Sequence, residues 1–199
     1  MKTYYQILLL LPVLILSSTR FGAAQHTKNE VEKSIDRDAM PARALSLINQ
    51  FWKEPKKADF YRQSDGEMIS YEVKLNWEDH PYSIEFDATG SLIDVEQLIE
   101  FEELPRALQN TITEEINNQY TTFRLTRVQR QYSAFENDDD EEVLEKILEE
   151  DFEDLLIRYE IEIDGQNKTE LGSFEILFDV NGNLIQKRRI VRRSLDNIW

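Results

Sequence analysis

The 199-residue chain contains no cysteine, only two histidines, six glycines and five prolines. Without cysteine it has no disulfide framework, no Cys-ligated zinc or iron–sulfur site, no thiol nucleophile and no Cys-anchored lipid. Glycine and proline are too scarce for a low-complexity chain, and 41% hydrophobic residues suffice for a packed core. Basic residues are also few: 23 Lys+Arg face 39 Asp+Glu, a net charge of −16. That balance argues against nucleic acid, whose phosphates need clustered Lys/Arg on a basic face.

One apolar run stands out. Ile7–Leu16 is unbroken, follows Lys2, and is too short for a hydrocarbon core that needs about 20 apolar residues. Gly22-Ala23-Ala24 offers small residues for a signal peptidase, with cleavage before Gln25. Residues 1–24 therefore read as a signal peptide, the alternative being an N-terminal membrane anchor. Removing Lys2 and Arg20 leaves 21 basic against 39 acidic residues, a net charge of −18 for Gln25–Trp199. No second long apolar run follows, so no stable membrane insertion is expected after cleavage, and the location expected is periplasmic or secreted. Residues 25–38 are polar and aperiodic and read as a flexible leader.

The rest of the chain shows self-similarity. Tyr71-Glu72-Val73-Lys74-Leu75 recurs as Tyr159-Glu160-Ile161-Glu162-Ile163, and Tyr82–Ile93 recurs as Phe174–Ile185. In Pro41–Lys53, Ala44, Leu45, Leu47, Ile48, Phe51 and Trp52 make one helical face, and Pro41 suits the first turn. In Pro105–Tyr120 the stripe is Leu108, Ile112, Ile116 and Tyr120. Strands alternate with period two. The aromatic residues Tyr71, Trp77, Tyr82, Phe86, Tyr159, Phe174 and Phe178 fall on inferred core faces. Glu72, Lys74, Asn76, Ser83, Glu85, Glu160, Glu162, Glu175 and Leu177 fall on opposite faces, expected to be solvated. Asp87…Gly90 and Asp179…Gly182 fit hairpin turns, with Asp bonding the backbone and Gly supplying positive φ. Asp179-Val180-Asn181-Gly182-Asn183 lacks the alternating ligands and final Glu of an EF-hand loop.

Behind a signal peptide, these features resemble the PepSY-like, β-lactamase-inhibitor-like exported proteins. The residues that carry the resemblance are Leu104-Pro105-Arg106-Ala107, Phe86-Asp87-Ala88-Thr89-Gly90 and Phe178-Asp179-Val180-Asn181-Gly182; Met40-Pro41-Ala42-Arg43 departs slightly. It spans roughly Met40 to Ile190. It implies an α+β fold of tandem repeats and a non-catalytic module whose polar sheet faces bind another protein. The expected architecture is two repeats, 39–99 and 100–199, each a helix packed on one face of an antiparallel sheet.

An acidic insertion falls in the second half. Glu136–Asp154 holds twelve acidic residues and one basic residue, Lys146. Val143, Leu144, Ile147, Leu148, Phe152, Leu155 and Leu156 form a helical stripe. Asp138, Asp139 and Asp140 suit a helix N-terminus, predicting an amphipathic helix over Asp140–Glu153. Basic residues gather elsewhere, at Arg124, Arg127 and Arg130 and at Lys187, Arg188, Arg189, Arg192 and Arg193. Three readings are open: charge compensation within the fold, a pair of docking surfaces, or weak divalent-cation binding on the acidic helix.

Catalytic signals are poor. His26 lies in the leader and His80 in a hairpin loop. No Gly-x-Ser-x-Gly, His-Glu-x-x-His or phosphate-cradling loop occurs. With 39 acidic residues, some carboxylate pair of glycosidase spacing is inevitable. No catalytic residue, cofactor or dedicated metal ligand is therefore expected. The sheet faces are acidic and poor in aromatic anchors, which argues against tight β-lactamase inhibition. The function expected is an exported, non-enzymatic binding or regulatory module for a protein with a basic surface. Its contact residues would be Glu145, Glu149 and Glu153 on the acidic helix and Glu72, Lys74, Glu85, Glu160 and Glu162 on the sheet. The alternative is a calcium-responsive acidic protein.

Overall fold

The computed structural model describes residues 26–52, 58–135 and 139–191. The expected signal peptide lies outside them, as do Lys53, Glu136, Asp138, Arg192 and Arg193. The elements run β1 (His26–Lys28), β2 (Glu30–Ser34), α1 (Ala42–Phe51), β3 (Asp59–Asp65), β4 (Met68–Trp77), β5 (His80–Asp87) and β6 (Leu92–Leu98). Then follow α2 (Arg106–Gln119), β7 (Thr122–Ser133), α3 (Asp140–Leu148), β8 (Leu156–Gln166), β9 (Leu171–Asp179) and β10 (Leu184–Ile190).

All ten strands belong to one sheet, in the order β1-β10-β9-β8-β7-β6-β5-β4-β3-β2. This overturns the expected α+β pair of helix-on-sheet repeats: β6 pairs directly with β7, from Val95↔Tyr132 to Leu98↔Gln129, and the fold is mainly β. The two edge strands are consecutive in sequence, with only Asn29 between them. β1 pairs in parallel with β10, and β2 pairs antiparallel with β3. One continuous segment thus ties the two sheet edges together into a near-barrel. The segment read as a flexible leader is this strap. Its backbone finds partners on both edges, which a polar, aperiodic composition does not reveal.

The helices form where the apolar stripes require them. α1 buries Ala44, Leu47 and Ile48, and α2 buries Leu108, Ile112 and Ile116. Asp139 caps α3 by accepting the Glu141 amide at 2.8 Å. α3 ends at Leu148, five residues short of the expected Glu153; Glu150 then takes a positive φ of 56°. Two apolar clusters lie on the outer face of the sheet. One gathers α1, α3 and the apolar sides of β4 and β5, and the other gathers α2 with β8 and β9. The acidic helix therefore packs in the first cluster, although it begins 53 residues after the end of β5, in the second half of the chain. Arg43 on α1 meets Asp140 at 2.6 Å, and the Tyr132 and Phe152 rings stack at 5.0 Å.

The two Asp-x-x-Gly turns form as expected. The Asp87 carboxylate accepts the amides of Thr89 at 2.7 Å and Ser91 at 3.0 Å. Asp179 does the same for Asn181 at 2.8 Å and Asn183 at 2.9 Å. Gly90 has a φ of +86°, and a Cβ there would sit 2.8 Å from the Ala44 amide nitrogen of α1.

Candidate functional site

Strand alternation places the apolar residues outward under the helices and the polar residues inward. Phe86, Phe174 and Phe178 are fully buried on the outer face, and Tyr159 is buried beside them. Tyr71, Trp77 and Tyr82 pack partly buried against the same side. The other face was expected to be solvated. Closure of the sheet instead folds it inward, and Glu72, Ser83, Glu160 and Glu175 are buried. The result is a polar trough of about 1280 Å³ along the concave side. Ten carboxylates line it against four cations, Lys28, Lys74, Arg127 and Arg188.

Register sets like charges side by side. Glu72 lies opposite Glu85, and Glu85 opposite Asp94. One step along, Ser83 lies opposite Glu96, which faces Gln131. Like charges directly across a ladder are destabilising, so these groups must share protons or find donors. Gln63 donates to Glu72 at 2.7 Å, the Ser83 hydroxyl donates to its other oxygen, and Lys74 lies 3.1 Å away. Gln129 donates to Glu96 at 2.6 Å, and Gln131 donates to Asp94 at 2.9 Å.

The electrostatics follow from burial. Burial, then a hydrogen bond shared with Glu32, pushes the Glu72 carboxyl up to about 7. Burial also raises Glu32, but bonds from Glu72 and Lys74 outweigh it and hold Glu32 below its usual range. Burial and the neighbouring Asp94 push Glu96 up to about 8. Asp94 is raised by burial and by Glu85, and Glu160 by burial and by Glu96. Glu175 behaves oppositely: burial raises it, but Lys28 at 2.5 Å and Arg188 outweigh that and hold it low.

The structure brings together five of the eight expected contact residues: Glu72, Lys74, Glu85, Glu160 and Glu162 all line the trough. It separates the other three. Glu145 is exposed on α3, Glu149 caps its C-terminus and Glu153 lies beyond it, all on the helical side of the sheet. Since α3 shares an apolar cluster with Val73 and Ile84, whose neighbours Glu72 and Glu85 point the other way, one compact partner surface does not touch both groups. Sequence reasoning missed Asp94, Glu96, Gln129 and Gln131. The signal was present in Asp94-Val95-Glu96 and Arg127-Val128-Gln129, where polar residues flank a buried valine.

The basic residues compensate charge locally. Arg124 meets Asp164 at 2.6 Å and Lys187 meets Glu170 at 3.1 Å. Arg188 binds Glu175 through Nε at 2.7 Å. Among the described residues, no group of three or more His, Asp or Glu is placed to hold a metal ion, and no helix is long and apolar enough to cross a membrane.

No protein-family model matches the sequence, and no curated protein matches it. Solved structures do. A DUF2874 family protein from Bacteroides uniformis is 14% identical, with a TM-score of 0.51 over 75% of this chain and 89% of that one. A protein of Bacteroides eggerthii described as periplasmic is 11% identical, with a TM-score of 0.50 over 75% and 88%. A BLIP-like protein from Bacteroides fragilis is 12% identical, with a TM-score of 0.49 over 80% and 93%. At these identities the likeness is one of fold. None of the three is described as a PepSY protein or as a tandem repeat.

Proposed function

We propose that this chain is an exported, non-enzymatic binding module that holds a basic surface of another exported protein in its concave acidic trough. The observation that carries the reading is the lining itself, ten carboxylates against four cations in about 1280 Å³. A partner bringing positive charge relieves the repulsion along Glu72, Glu85 and Asp94, and complementary fields speed its approach. The likeness of fold to a protein described as periplasmic supports an exported location. The acidic helix, on the other side of the sheet, contributes to the net negative field that steers approach.

Affinity capture with Gln25–Trp199 tests this, using the exported-protein fraction of the source cells at low and high salt. We expect one stoichiometric partner with a basic surface, lost at high salt. Glu72→Gln with Glu85→Gln should weaken that capture, whereas Glu145→Gln, Glu149→Gln and Glu153→Gln together should slow association and leave the dissociation rate unchanged. Capture that survives high salt and the trough changes overturns the reading.

A further inference from the structure

The trough carries two zones of different chemistry. In the deep zone, Asp94 and Glu96 sit two residues apart on β6, and the Gln131 amide nitrogen reaches both, at 2.9 Å and 3.4 Å. Its amide orientation is therefore set by two acceptors. The carbonyl oxygen of the same side chain is buried and has no hydrogen-bond partner. Among the described residues no ion pair reaches Asp94, Glu96 or Glu85. The second zone is an apolar rim: Met68, Ile69, Ile93, Ile190 and Val191 also line the trough, and Met68 is 71% exposed.

We propose that the trough seats an amphipathic basic segment of a partner protein. One Lys or Arg side chain of that segment reaches Asp94 and Glu96, and apolar neighbours cover the rim from Met68 to Val191. This rests on the trough reading above and adds the partner's chemistry to it. A free amine or an inorganic cation satisfies the deep zone alone and leaves the rim uncovered, so a segment carrying both kinds of side chain is the better fit. A guanidinium or ammonium offers several donors at once, enough for two carboxyls.

Calorimetric titration of Gln25–Trp199 at low salt tests the proposal with defined probes. These are a short peptide of alternating Arg and Leu, the same peptide with Ser for Leu, the same with citrulline for Arg, and arginine amide alone. The Arg/Leu peptide should bind at least about tenfold more tightly than each of the other three. Asp94→Asn with Glu96→Gln should weaken it by about tenfold or more with the melting temperature held or raised, because both carboxyls are crowded by like charge. Ile69→Ser with Met68→Ser, at exposed positions, should lower affinity for the Arg/Leu peptide and leave the Arg/Ser peptide unchanged. Equal binding of the Arg/Leu and Arg/Ser peptides overturns the apolar rim. Equal binding by the Asp94→Asn/Glu96→Gln protein overturns the deep zone. If both happen while binding stays salt-sensitive and responds to Glu72→Gln/Glu85→Gln, the general trough reading stands and this inference falls. If no basic peptide binds, both fall.

Discussion

Glu72 and Glu96 are where burial and like charge act most directly on single groups. Their folded values, about 7 and about 8, lie above the ordinary 4.5. A carboxyl raised in the folded state stabilises fully below its unfolded value, and that contribution is lost as pH rises through the folded one. Asp87, Asp179 and Glu175 are lowered instead, so their contribution is present above about 4.5 and lost on acidification. The melting temperature should thus fall by several degrees between pH 5.5 and pH 8.5, and Glu96→Gln should flatten that slope. A melting curve that rises over this range contradicts the assignment. Backbone strain gives a second test at this scale. Gly90→Ala should destabilise by about 1–3 kcal/mol, since its φ is +86° and α1 leaves no room for a Cβ. Core and margin also separate: Phe178→Ala, fully buried, should cost about 3–5 kcal/mol. Trp77→Ala should cost only about 1–3 kcal/mol, because Trp77 is half-buried at a strand end against Tyr82. Chemical denaturation of the three variants reads all of these.

Elements were legible in the sequence wherever a local signal decides them. Pro41 and Pro105 precede α1 and α2, Asp139 caps α3, and period-two alternation gave the facing of Tyr71, Phe86, Phe174 and Phe178 correctly. The strap was not legible, because β1 and β2 hold few apolar residues and owe their form to backbone bonds with distant strands. Nor was the docking of α3, since an apolar stripe says that a helix is buried and not against what. The strap's importance is testable through Lys28, which meets Glu175 at 2.5 Å, Glu30 at 3.3 Å and Glu160 at 4.0 Å. Lys28→Met should destabilise by about 1.5–3 kcal/mol, the range for hydrogen bonds to charged groups, and should increase amide exchange in β1 and β10. Unchanged exchange there contradicts the strap's role in holding the edges together.

Closure is a property of the whole molecule, and it changes the meaning of the polar residues. Glu-x-Lys and Glu-x-Glu on alternating strands look like solvated sheet faces when each strand is taken alone. Eight strands, β3 to β10, joined at both edges by the β1–β2 segment turn the same residues into an acidic interior. Glu72, Lys74, Glu85, Glu160 and Glu162 share the face that alternation gives them but line a trough rather than an open surface, and Asp94, Glu96 and Gln131 emerge only once β6 and β7 are seen to line the same trough. The acidic helix, prominent in the sequence, shares the apolar cluster on the side of the sheet opposite the trough. The central claim is that a basic partner enters that face. Nuclear magnetic resonance titration of Gln25–Trp199 with the Arg/Leu peptide maps the contact directly. The account predicts shifts concentrated at the inward residues of β4 to β8, above all Glu72, Glu85, Asp94, Glu96 and Gln131, with α3 unmoved. Shifts confined to Asp140–Leu148, or no shifts at low salt, would contradict it.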